Sequence, residues 1–212
     1  MSSVKLKHAS GNSMSIAAPA TNPASNLELK LPATVGTAGQ VLQNSSTPGT
    51  LEFGAGGKVL QVIQNLITDT HSEALTTTHW ATLGSFADTS ITPSSASSKI
   101  MVQGVIVVGI SSGMDVFLRL RRGSTVIGVG DAAGSRRQGL SANAPNDTNK
   151  MCTIPFCYID SPNTTSATTY GVQLAHPSSS TRTIYVNRNH TDSDSAEGCR
   201  VCSSMLLQEI EA

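Results

Sequence analysis

The first fifty-odd residues alternate apolar and polar side chains as strands do, yet hold too few apolar residues to build a core. Val4-Lys5-Leu6-Lys7, Met14-Ser15-Ile16, Leu27-Glu28-Leu29-Lys30-Leu31 and Leu51-Glu52-Phe53 repeat with period two, the signature of a half-buried strand. Gly11-Asn12, Thr21-Asn22-Pro23, Gly36-Thr37-Ala38-Gly39 and Thr47-Pro48-Gly49 separate them with turn chemistry. Beyond Met1, residues 1–57 contain twelve large apolar residues. Burying so few side chains does not offset the conformational entropy lost in ordering the whole segment. These strands need surface from elsewhere, and two further copies of the chain are the simplest source. The seam of such a trimer falls on Leu6, Ile16, Leu27, Leu29, Leu31 and Phe53.

The 212 residues suit one ordinary domain plus an appendage, or two small domains. Fourteen Lys and Arg balance fourteen Asp and Glu. A net charge of zero gives no long-range attraction to nucleic acid or to an anionic membrane. Charged residues make up only 13% of the chain, so Ser, Thr, Asn and Gln must supply most of the polar surface. The N-terminus lacks the apolar stretch of a secretory signal. The longest aliphatic run, Val105-Ile106-Val107-Val108, falls far short of the ~20 residues a membrane helix requires. The expectation is a soluble protein made in a cytosol, with no membrane insertion.

Gly54-Ala55-Gly56-Gly57 marks the clearest boundary. It divides a strand-rich N-terminal segment, 1–57, from a C-terminal domain, 58–212. The latter holds 48 large apolar residues in 155, enough for a core of its own. Its expected strands are Lys58–Gln64, Trp80–Phe86, Ser90–Thr92, Lys99–Ile110, Asp115–Arg121, Ser124–Gly130, Met151–Ile159, Thr169–Ala175, Thr183–Asn189 and Arg200–Glu209. Val116, Leu118 and Leu120 lie on one face of their strand, with Phe117, Arg119 and Arg121 on the other. Val105–Val108, apolar on both faces, reads as a central strand covered on both sides. Ile110–Gly113 and Arg122–Ser124 fit short hairpin connections, and Ala132–Lys150 reads as a long exposed loop. No window shows helical periodicity. Many short strands between Gly, Pro and Ser turns argue for an all-β chain whose C-terminal domain is an antiparallel β-sandwich of jelly-roll type.

Several of these residues resemble a pattern found in tailed phages, especially those of cyanobacteria and marine bacteria. The N-terminal part, with Ala18-Pro19, Asn26–Pro32 and Gly36–Leu42, resembles an element of tail-fibre and other virion proteins. The carrying residues of the C-terminal part are Gly57–Gln64, Ser90–Ser95, Ser98–Ile100, Leu120–Gly128 and Ile184–Asn187. This resemblance implies a non-enzymatic virion structural protein assembled in the host cytoplasm. It further implies a homotrimer with intertwined N-terminal strands, a C-terminal knob and other virion proteins as partners. A tail-fibre-like appendage is the first reading and a capsid decoration (cement) protein the second. A carbohydrate-binding module that takes a host-surface glycan is the alternative of another class. The chain lacks the repeated shaft of a long fibre.

Motifs that suggest chemistry have plainer accounts. Gly109-Ile110-Ser111-Ser112-Gly113 spells a nucleophile elbow, but an alternating strand follows where a helix is required. Gly128-Val129-Gly130-Asp131-Ala132-Ala133 matches a dinucleotide fingerprint in letters alone, with a polar loop after it. Gly57-Lys58 lacks the rest of a phosphate loop. Cys152…Cys157 and Cys199…Cys202 supply four thiols, yet both spacings are odd and would place each pair on opposite strand faces. Buried free thiols are the favoured reading, ahead of a disulfide or a metal site. Asp192, Asp194 and Glu197 satisfy the oxygen-ligand logic of a calcium loop without its sharp-turn glycine, and a solvated acidic loop suffices. His71, His79, His176 and His190 show no ligand spacing. Arg119, Arg121, Arg122, Arg136 and Arg137 form the densest positive group, expected to pair across subunits rather than bind nucleic acid. No catalytic residue, cofactor or metal is expected.

Overall fold

The computed structural model describes residues 3–7, 11, 13–17, 21, 23, 27–55, 59–76, 79–83, 87–196 and 198–211. Among them every regular element is a strand. Contacts divide the chain into two compact units, Met1–Gly56 and Gly57–Ala212.

The first unit holds two antiparallel pairs. β1 (Ser3–Lys7) pairs with β2 (Ser13–Ala17), and β3 (Gln40–Asn44) pairs with β4 (Leu51–Ala55). The β3 strand escaped the sequence reading because Val41 and Leu42 are consecutive, not alternate. In the loop joining β3 and β4, Gly49 takes a φ of +80°, which a side chain disfavours. Leu27–Leu31, expected to be a strand, is mostly irregular. One parallel bridge, Lys30 to Thr50, ties it to the hairpin. Its alternation has the strand period without a partner to complete the ladder. The Phe53 ring lies over Gly36, where a Cβ would come within 2.5 Å of it.

The second unit is built of two six-stranded antiparallel sheets. One contains β5 (Val59–Ile67), β6 (His71–Leu75), β9 (Lys99–Ile110), β13 (Cys152–Asp160), β15 (Arg182–Val186) and β16 (Ser203–Ile210). The other contains β7 (Ala81–Thr82), β8 (Thr89–Ile91), β10 (Val116–Arg122), β11 (Thr125–Ile127), β12 (Ser141–Asn143) and β14 (Thr168–Ala175). Take β5, β7 with β8, β9, β10, β11 with β12, β13, β14 and β16 as eight successive strand positions. One sheet then reads first, eighth, third, sixth, and the other second, seventh, fourth, fifth. This is the jelly-roll order. β6 and β15 are an added pair that extends the first sheet past the end of β9.

Alternation along the strands places the core between the sheets. Ile100, Val102, Ile106, Val108 and Ile110 of β9 point inward and are fully buried. They meet Val116, Leu118 and Leu120 of β10, with Val172 and Leu174 of β14, in one apolar cluster. Gly104 keeps the same inward parity and admits the Phe156 ring, whose Cζ would lie 2.8 Å from a Cβ there. A buried polar clamp joins the sheets. Arg122 on β10 donates twice to Asp160 on β13, at 2.8 and 3.0 Å, and the Tyr170 hydroxyl on β14 donates to the same carboxylate at 2.7 Å. Burial, first, and the adjoining Asp160 carboxylate push the Tyr170 hydroxyl well above its ordinary pKa.

Four expectations are revised. Ile110–Gly113 makes no hairpin, because β9 and β10 belong to different sheets and the turn carries the chain between them. Trp80–Phe86 shortens to Ala81–Thr82, with Phe86 outside the described residues. His71–Leu75 and Ser141–Asn143 are strands; the latter lies inside the expected loop. The outward positions Met101, Val105 and Val107 of β9 are only half-buried, so one face of that strand, not both, packs on the core. Elsewhere the register is as the alternation suggests. Gly123 and Ser124 alone join β10 to β11, with Gly123 at φ +55° as a two-residue hairpin turn requires.

Candidate assembly surface

The six residues of the expected trimer seam have different settings. Leu27, Leu29 and Leu31 are exposed at 76%, 62% and 73%. Phe53 is half-buried and packs over Gly36. Leu6 and Ile16 occupy β1 and β2, where the described structure covers the backbone alone. Val35, Val41 and Leu42 are further exposed apolar residues of this unit, which the sequence reading did not single out. Their neighbours Gly36 and Gln43 gave no alternation to flag them. Between residues 27 and 54 no side chain is buried. The unit thus presents apolar side chains to its surroundings and encloses none of those described.

Basic residues expected to face another subunit are instead paired within the chain. Arg121 is bonded to Asp88, and Arg122 to Asp160. Arg119 stacks on the Trp80 ring with its guanidinium carbon 4.3 Å from the centroid, and it donates to Gln173 at 2.8 Å. Sequence could not reveal this, since Asp88, Asp160 and Trp80 are brought near β10 by sheet pairing alone. Arg136 lies in the exposed loop before β12 and donates to the Ala133 carbonyl at 3.4 Å.

The thiols also depart from expectation. Cys157, Cys199 and Cys202 are exposed and Cys152 is half-buried; all four are free. Cys199 and Cys202 precede β16, so strand parity does not govern them. Burial pushes the Cys152 thiol up to about 11. No group of three or more His, Cys, Asp and Glu suited to a metal occurs among the described residues.

The loop before β16 lines a polar cavity of about 460 Å³ with Asn189, Asp192, Ser193, Asp194, Ser195 and Arg200. Asp192 is committed to Arg200, which reaches its two oxygens at 2.8 and 3.1 Å. Those hydrogen bonds hold the Asp192 carboxyl below its ordinary pKa. Glu197 lies outside the described residues. The cavity offers hydrogen-bonding groups, and Asp192 is already neutralised.

The other flagged residues have local roles. Ser111 Oγ accepts from the Thr183 amide at 3.1 Å, fastening the turn after β9. His176 is buried with Nε2 3.1 Å from the Leu75 carbonyl, His190 Nδ1 lies 2.8 Å from the Tyr185 hydroxyl, and His79 Nδ1 lies 2.8 Å from Thr76 Oγ1. His71 on β6 sits 3.6 Å from Glu73. Gly128 at φ +59° begins a loop, with no helix after it. Gly57 and Lys58 lie outside the described residues.

Sequence reasoning missed a buried carboxylate. Glu209 on β16 is fully buried, and it accepts from the Ser94 amide and hydroxyl at 2.7 Å and from Gln61 at 2.6 Å. Burial pushes this carboxyl up, and the hydrogen bonds outweigh it and hold it down at about 2. Only its inward parity between Leu207 and the strand end signalled the position.

No protein-family model matches the chain, and no curated protein matches it. Among solved structures, it resembles infectious bursal disease virus of the Gt strain at a TM-score of 0.37 and 13% identity, over 87% of this chain and 47% of that one. A VP2 subviral particle of the same virus gives 0.37 and 13%, over 82% and 42%. The Gx strain gives 0.36 and 12%, over 81% and 42%. The chain spans less than half the length of these solved chains, and likeness this loose carries no argument about function.

Proposed function

We propose that the chain is a non-enzymatic bacteriophage virion structural protein, a homotrimeric, tail-fibre-like surface appendage attached to the particle by its N-terminal segment. The observation that carries this reading is the absence of any buried side chain between residues 27 and 54. A segment of this kind is ordered by surface it does not itself supply. The sequence resemblance supports a virion as the setting and two further copies as the source of that surface. The second unit needs no such help, since its jelly roll encloses a full core. The loops around Asn189 and Arg200 are where such a knob would take a host-surface glycan.

Capsid decoration is the second reading. Imaging intact particles by electron cryomicroscopy decides between the two: density for this chain on the tail supports the appendage, density on the head the decoration protein. Sedimentation equilibrium tests the trimer directly, and a folded monomer at 22.0 kDa overturns it.

A further inference from the structure

The first sheet of the second unit is apolar on both sides, and only one side is used. Its inward residues fill the core. On the outward side of β5, β16, β9 and β13 the register brings together Val62, Leu66, Leu206, Met101, Val105 and Ile159. Val62, Leu66 and Ile159 are each 55% exposed. Leu206, Met101 and Val105 lie on the two middle strands, where lateral neighbours shield them and leave them half-buried. The residues interspersed with them, Gln64, Gln103, Gln208 and Ser204, are uncharged. Among the described residues of these four strands, Lys99, at the end of β9, is the one charged side chain on this side, and its ammonium donates to Ser161 at 2.8 Å.

We infer that this outward face packs against other copies of the same chain. Area and charge together identify the occupant. Four strands about 4.8 Å apart and about seven residues deep span roughly 450 Å² per chain. Two such faces in contact approach the ~1,000 Å² at which a specific interface begins, and the largest apolar patch on a chain, commonly of this size, is often a functional surface. A nucleic acid or an anionic membrane would call for basic residues, and the face has none at its centre. An identical face meets it without burying an unpaired charge. The inference rests on the self-association proposed above and places a second contact in the C-terminal unit, independent of the N-terminal leucines.

Cys157 provides the test, because it lies on this outward face beside Gln103, while Cys199 lies in the loop before β16. Both thiols are free and exposed in the single chain. In the intact wild-type protein a maleimide probe should modify Cys157 about tenfold or more slowly than Cys199, the factor that ~1.4 kcal/mol of protection gives. Leu206→Asp should remove the protection and lower the sedimentation mass, with the thermal transition kept. Ile159→Asp, at a more exposed position, serves if the first variant does not fold. Equal labelling of Cys157 and Cys199 in wild type, or unchanged mass and labelling in a folded face variant, overturns the inference. If Leu29→Glu lowers the mass while the face variants do not, the N-terminal seam stands and this face is not an interface. A monomeric wild type overturns both.

Discussion

The two units obey the same alternation rule and arrive at opposite results. In the second unit, apolar side chains at every second position meet those of a facing sheet, and residues such as Ile106, Leu118 and Leu174 lose all exposure. In the first unit, Leu27, Leu29 and Leu31 follow the same period and stay in the open. Alternation tells a strand which face is apolar. Whether anything covers that face depends on how many strands are at hand, and a two-stranded pair is marginal by itself. The second unit brings twelve strands into two layers. The first brings two hairpins and leaves no described side chain between residues 27 and 54 buried.

Substitutions can break or sharpen that contrast, and their effect on the thermal transition of the second unit should descend in a definite order. Ile106→Ala removes a fully buried side chain from between the sheets, and a loss of about 2–5 kcal/mol is expected in denaturant unfolding. A loss under about 0.5 kcal/mol would mean that the two sheets are not tightly packed there. Arg122→Ala strands the Asp160 carboxylate, which is buried beside Tyr170. Breaking a buried pair on one side costs about 3–5 kcal/mol, and the half-exposed Arg122 side chain places this case at the lower end. Arg122→Ala with Asp160→Asn should recover part of that loss in a double-mutant cycle.

Glu209 sets a pH dependence. Its carboxyl stays charged in the folded state down to about 2, against an ordinary value of 4.5. The unfolded chain therefore takes up the proton first. Stability from this group is present above pH 4.5 and fades as the pH falls toward 2, by roughly 3 kcal/mol in all. Melting at a series of pH values should show this acid-side loss, and Glu209→Gln should flatten it.

Leu29→Glu should have the smallest effect on melting and the largest on assembly. Residue 29 touches no core, so the C-terminal transition should not move. At a three-fold seam, however, the change brings three carboxylates together out of water, each costing several kcal/mol without a partner. The variant should fail to join the virion, and normal incorporation would remove residue 29 from any seam. A 58–212 fragment, released by cleavage near the glycine tract, should likewise melt as the full chain does.

The sequence alone determined which residues alternate and where turns fall. That sufficed for the all-β class and for β9 over Lys99–Ile110, because period-two patterning is a local property of the chain. It also sufficed for the hairpin at Gly123, where a two-residue turn needs the backbone freedom of glycine. Tertiary structure decided what each strand meets. The turn at Ile110–Gly113 crosses between sheets, Arg119 finds Trp80, Arg122 finds Asp160, and Glu209 finds Ser94, 115 positions away. These pairings join residues tens of positions apart, and local patterning holds no record of them. The same limit explains β9: its second apolar face is written in the sequence, and what covers it is set by whatever packs there.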